Sequence, residues 1–206
     1  MAVINNRHRV TRARLVAGCG MLTAAAFVLQ YLEFPLPFLP SFIKLDFSDL
    51  PELIGAYAYG PLAGVIICLL KNLIHLTVSQ SGFIGELSNF LLGAVFSITA
   101  GLVYTKKRTK SGAWLSGILA SLAMAAACFP LNLFVVYPLY YSVLHLPEPA
   151  ILDMYQAILP AVKDIPSALL VFNVPFTLLK GVLCVLLAML LYKRIAKLLF
   201  TGKETK

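Results

Sequence analysis

The sequence predicts an all-α, polytopic membrane protein in a single domain over residues 1–206, a bundle of six transmembrane helices with both termini in the cytoplasm. Three observations carry this. Hydrophobic residues make up 60% of the 206 positions and charged residues 13%, where a soluble domain has about 45–50% and about 25%. The net charge of +8 is gathered in three clusters that flank apolar runs: Arg7, Arg9, Arg12 and Arg14; Lys106, Lys107, Arg108 and Lys110; Lys193, Arg194, Lys197, Lys203 and Lys206. That is how Lys and Arg distribute when they stay on the cytoplasmic side, and it argues against nucleic acid as the partner. Finally, two clusters on one side of the bilayer need an even number of spans between them.

Residues 1–14 are basic and read as a cytoplasmic tail. Residues 15–32 are apolar and long enough for a first span, which Glu33 and a run of prolines end. Small residues Ala13, Ala17, Gly20 and Ala24 recur at spacings of 4, 3 and 4. They share one face, which suits either internal packing or the docking of another membrane protein.

Residues 33–48 hold Pro35, Pro37 and Pro40, which forbid a helix, yet are otherwise apolar: Phe34, Leu36, Phe38, Leu39, Phe42, Ile43. A solvated loop would be polar. This one reads as an extracellular lid over a pocket.

Residues 47–78 fit one long helix or two short ones, and parity selects two, broken at Gly60-Pro61. The first, near 49–60, is short for a span. Asp49 or Ser48 is expected to cap it, with Pro51 and Glu52 in its first turn. Lys71 and Asn72 fall inside an apolar run, where an ionisable group faces protein or water rather than lipid. They read equally as site residues or as contacts between helices, with His75 one turn on.

Residues 79–85 form an outer loop, and 84–105 a span that opens with Glu86 and Asn89 on one face. After the basic loop, 113–141 is a long span carrying Pro130, Asn132 and Tyr137. Residues 142–165 read as an extracellular loop. A last span over 166–192 contains Asn173, Thr177 and Lys180, the latter two sharing a face, and 193–206 is a second cytoplasmic tail. The four cysteines, Cys19, Cys68, Cys128 and Cys184, lie in separate apolar runs and read as small packing residues. No metal site or cofactor is expected.

No Gly-x-x-x-x-Gly-Lys-Ser/Thr motif for nucleotide phosphates is present, and no nucleophile has a base at a recognisable spacing. No catalytic residue is expected, so the reading is not an enzyme. The polar inventory suits binding of a neutral, partly aromatic solute.

The run Phe42-Ile43-Lys44-Leu45-Asp46-Phe47-Ser48-Asp49-Leu50-Pro51-Glu52-Leu53-Ile54-Gly55 is the most specific part of a resemblance that covers nearly the whole chain. With it go Gly60-Pro61-Leu62-Ala63-Gly64, Leu70-Lys71-Asn72-Leu73, Glu86-Leu87-Ser88-Asn89-Phe90 and Pro175-Phe176-Thr177-Leu178-Leu179-Lys180-Gly181, plus the first-helix ending Phe27 to Pro37. In these the chain resembles the riboflavin-specific substrate-binding (S) components, the RibU family, of energy-coupling factor (ECF) vitamin transporters.

The resemblance implies a six-helix S-component fold, a lid made by the first loop, and a flavin pocket open to the outside of a bacterial cell membrane. Family contacts fall on Asn132, Thr177 and Lys180, with the lid at Lys44, Leu45, Asp46 and Phe47; the family often has Asn where this chain has Thr177. Glu86, Asn89 and Tyr137 complete the expected substrate-binding set. Ala17, Gly20 and Ala24 match the small face that docks a membrane coupling (T) subunit, and ATP hydrolysis is left to two partner ATPases. Two alternatives stay open: an S component for thiamine, biotin or pantothenate, and a membrane assembly protein or intramembrane enzyme.

Overall fold

The computed structural model of the protein describes residues 12–200; most of the expected basic tails, residues 1–11 and 201–206, lies outside the described residues. Helix α1 (Arg12–Tyr31) leads into a two-stranded antiparallel hairpin, β1 (Phe34–Pro35) and β2 (Lys44–Leu45), with Phe34 opposite Leu45 and Pro35 opposite Lys44. Proline at the second strand position is tolerated because this is an edge, where its missing N–H removes no ladder bond. The expected loop is therefore a folded flap.

Helices α2 (Asp49–Tyr59) and α3 (Pro61–His75) meet at Gly60, whose φ of 104° only glycine adopts without strain, and Pro61 starts α3 at a position where its N–H is not needed. The break falls where the sequence places it. The capping expectation does not hold: Ser48 occupies the cap position without a side-chain cap bond. Its hydroxyl instead donates to Asp46 Oδ1 at 2.5 Å and accepts from Lys71 Nζ. A buried ammonium with few alternatives competes well against one helix-end amide.

Helix α4 (Ile84–Lys106) matches the expected span. Helix α5 (Lys110–Leu131) continues through a π turn at Asn132–Val136 into α6 (Tyr137–Val143). A second π turn, Leu169–Asn173, joins α8 (Ile165–Ala168) to α9 (Val174–Phe200). Each π turn directly precedes a proline one residue into the next helix, Tyr137-Pro138 and Val174-Pro175, since a proline there removes the i→i−4 bond to Phe134 or Val171 within the turn and forces a local rewinding. The expected loop 142–165 contains a further helix, α7 (Glu148–Gln156). Pro149 sits in its first turn, where proline is compatible with a helix.

Among the described residues, five helical runs are long and apolar enough to cross a membrane: Arg12–Tyr31, Pro61–Val78, Ile84–Lys106, Lys110–Val143 and Ile165–Leu191. The expected count of six is met only if α2 is added, and at 11 residues it is too short to span alone. Helix α2 packs instead inside the bundle against α1, α3, α4 and α9. Small residues permit this: a Cβ on Gly64 would press on Ala56 of α2 and Ser97 of α4, both at 2.9 Å.

Two apolar clusters hold the ends. One, around Leu53, Tyr57, Phe96, Tyr104, Met124 and Val185, joins α2, α4, α5 and α9. The other, around Ile43, Tyr137, Tyr155, Ile165 and Leu169, seats the flap and α7 on the two π turns. Between them the bundle is hollow.

Candidate ligand-binding site

The hollow is a cavity of about 410 Å³, within the range of roughly 300–1,000 Å³ common for small-molecule sites. The flap closes it. Leu39 and Ile43 are buried in the upper apolar cluster, and the Phe42 ring stands edge-on to Tyr155 at 5.7 Å and tilted against Tyr140 at 6.2 Å. At the rim, Lys44 Nζ bridges Glu33 at 2.6 Å and Gln80 at 3.1 Å, tying the flap to the α1 end and to the loop before α4.

Of the residues expected to bind substrate, Lys44, Asp46, Glu86, Asn89, Asn132, Tyr137, Thr177 and Lys180 all line the cavity. Leu45 and Phe47 do not. The chain is extended here, so alternate side chains face opposite ways: Lys44 and Asp46 point in, and Leu45 is buried behind them. The flap contributes Ser41, Phe42 and Ile43 to the lining instead. Gln30, Asp49, His75 and Asn173 also line it and were not among the expected contacts. Asn173 had a legible signal: Asn173, Thr177 and Lys180 recur at spacings of 4 and 3, one face of a helix. Gln30 and Asp49 had none beyond proximity to the lid.

The floor is an ion network. Lys71 Nζ is fully buried, 2.6 Å from Glu52 Oε1 and 3.4 Å from Asp49 Oδ1. It also donates to Asn89 Oδ1 at 3.4 Å. Lys180 Nζ lies 2.9 Å from Asp46 Oδ2 and 3.2 Å from Asp49 Oδ2. Three carboxylates thus face two ammonium groups across α2, α3, α9 and the flap. Burial by itself would raise the Asp46 pKa, but Lys180, Lys71 and the Ser48 hydrogen bond outweigh it and hold the carboxyl down to about 2.

On the α4 side, Glu86 Oε1 lies 2.9 Å from His75 Nδ1, and its Oε2 accepts from Ser79 at 2.9 Å and Ser81 at 3.0 Å. His75, expected near an interface, is buried. Gln30 Nε2 donates to Asn72 Oδ1 at 3.0 Å, which makes Asn72 a contact between helices.

On the α5 and α9 walls, Asn132, which lines the cavity, donates from Nδ2 to Cys128 O at 2.8 Å. Thr177 Oγ1 lies 3.2 Å from Cys128 Sγ. All four cysteines are buried and free. Cys128 is more than packing, because it lines the cavity and orients two polar neighbours.

The arrangement offers aromatic and apolar walls with separate donors and acceptors at fixed positions, which is the composition of a solute-binding pocket. A family model described as "ECF transporter, substrate-specific component" matches residues 14–192. The chain belongs to the ECF-transporter substrate-specific components.

Relatives within this family are close. The chain is 36% identical over 179 residues to the riboflavin transporter RibU of Staphylococcus aureus (strain TCH60), covering 87% of this chain and 88% of that one. It is 31% identical over 175 residues to the riboflavin transporter FmnP of Bacillus subtilis (strain 168), covering 84% and 86%. A solved structure of the S component of a bacterial ECF transporter superposes with a TM-score of 0.71 at 35% identity, covering 91% of this chain and 98% of that chain. As an S component, the chain is the solute-recognising part of a transporter.

Proposed function

We propose that this S component binds riboflavin from outside a bacterial cell and delivers it through the membrane with partner subunits that supply the ATPase. The observation that carries the reading is the flap-covered cavity of about 410 Å³, with aromatic residues Phe42, Tyr137, Tyr140 and Phe176 beside fixed polar groups. A flavin is a flat aromatic ring with a hydroxylated chain, and both halves find matching walls. The names of the relatives support the same ligand.

In this reading Asn132, Thr177 and Lys180 contact the ligand, with Glu86, Asn89, Tyr137 and the flap residues Lys44 and Asp46 around it. The flap, residues 33–48, and the α7 region, residues 142–165, face outside, while both termini and the basic loop at 106–110 face the cytoplasm. Helix α2 is the short sixth crossing. The exposed small face of α1, Ala13, Ala17, Gly20 and Ala24, docks a T subunit, and two ATPases act through it. The chain itself binds and releases without breaking bonds.

Riboflavin fluorescence is quenched when the ring stacks on aromatic side chains, so titration of the purified chain tests the reading. Saturable quenching at one site per chain, with thiamine, biotin and pantothenate failing to compete, is the expected result. A preparation that leaves flavin emission unchanged, or that takes up one of the other vitamins, overturns it.

A further inference from the structure

The flap is apolar on both faces, and protein covers only one of them. Leu39 and Ile43 are buried in the upper apolar cluster, with Leu36 and Phe42 packed against it. Phe34 and Phe38 are instead 44% and 55% exposed, and Pro35 and Pro37 are exposed with them. From Tyr31 to Phe42 the only charged side chain is Glu33, and it is drawn back to Lys44 at the cavity rim. The prolines also remove two backbone N–H groups that an apolar surrounding would leave unpaired. This face continues the exposed side of α1. The small residues of α1 stop at Ala24, and above them the exposed side chains are large: Val28, Tyr31 and Leu32. Large apolar side chains suit lipid, where small ones suit the close approach of a helix. The 20 residues of α1 rise about 30 Å, which matches the hydrocarbon thickness, so Tyr31 ends at the boundary where aromatic rings collect. The α7 region differs: its exposed residues include His145, Glu148, Asp153, Lys163 and Asp164.

We propose that the outer face of the flap, Phe34, Pro35, Pro37 and Phe38, is a lipid contact that lies against the headgroup–acyl boundary of the outer leaflet. The lid is then an interfacial element, held between the upper apolar cluster and the bilayer, and the charged α7 region is the part that stands in water. Lipid is the occupant because the face runs on from the large exposed side chains of α1 and offers no charge for a protein partner to pair. An uncharged patch with exposed aromatic rings at this level is what an interfacial segment presents. The inference takes the leaflet from the proposed orientation and is independent of which solute the cavity holds.

Tryptophan fluorescence in vesicles tests it. Trp114 is the single tryptophan of the chain, so Phe38→Trp is made together with Trp114→Phe, and Phe34→Trp takes its place if that variant melts well below the wild type. The vesicles are phosphatidylcholine, either plain or brominated on acyl carbons close to the headgroup, because interfacial side chains sit about 5–10 Å into this boundary. Brominated lipid should remove at least half of the emission, and aqueous iodide little of it. Asp153→Trp in the same background should show the reverse, which separates the position of the flap from the preference of indole itself for interfaces. Iodide quenching at position 38 without quenching by brominated lipid sets the face in water and overturns the proposal. Shielding from both quenchers means that a second copy of the chain covers the face, and overturns it as well. Brominated lipid reports the contact whichever way the chain is inserted and whatever it binds. A chain that ignores riboflavin yet is quenched by brominated lipid therefore loses the flavin reading and keeps this one.

Discussion

Lys180 and Asp46 lie 134 residues apart and meet at 2.9 Å beneath the flap. This contact fastens the last helix to the flap that lines the cavity. Asp46→Ala removes it and leaves Lys180 with Asp49 alone. Breaking one partner of a buried ion pair costs about 3 kcal/mol or more, and the loss should appear as a lower melting temperature and at least tenfold faster riboflavin release in stopped flow.

The Asp46 carboxyl also sets an acid limit. Its pKa in the folded chain, about 2, lies below the value of roughly 3.9 for an unfolded aspartate. A group depressed on folding stabilises above its unfolded pKa and loses that contribution as pH falls toward its folded one. This contribution should be constant from pH 8 to about 5 and decline between about 4 and 2. Melting temperatures of wild type and Asp46→Asn across that range check it, since the two curves should converge at the acid end.

Lys71 has 0% side-chain exposure and satisfies Glu52, Asp49, Ser48 and Asn89 together. Lys71→Met strands Glu52 in an apolar interior and should cost about 3–5 kcal/mol, seen as a loss of monodisperse protein after detergent extraction. Glu52→Gln combined with Lys71→Met should recover much of the yield, because no unpaired charge is then left at that spot.

Two glycines should separate folding from assembly. Gly64→Ala places a methyl against Ala56 and Ser97, an overpacking worth about 1–3 kcal/mol, and should lower the melting temperature. Gly20 has open space around its Cβ direction and lies on the exposed face of α1. Gly20→Leu should leave melting and riboflavin affinity unchanged while reducing co-purification with a T subunit.

What could be read in advance was what depends on local chemistry. Gly60-Pro61 breaks a helix in any context. Lys71 and Lys180 are conspicuous because charge inside an apolar run needs a partner, although the sequence does not say which. Residues whose role depends on a distant partner were misread. Ser48 looked like a cap because Lys71 is 23 residues away. Residues 148–156 looked like a loop because Pro147 and Pro149 mask a short helix held by Tyr155 and Ile151 in the upper apolar cluster. Leu45 and Phe47 were taken with their neighbours because a lid has no visible inside until the hairpin register is known.

Helix α2 is 11 residues long, a rise of about 16 Å, against a hydrocarbon thickness of about 30 Å. In the proposed orientation the cavity lies in the half of the bilayer that this stub leaves open. In the proposed orientation, capture alone carries the vitamin nearly to the midplane. The work left for the energised step is then to open a path past Leu53 and Tyr57, a plug one half-membrane thick.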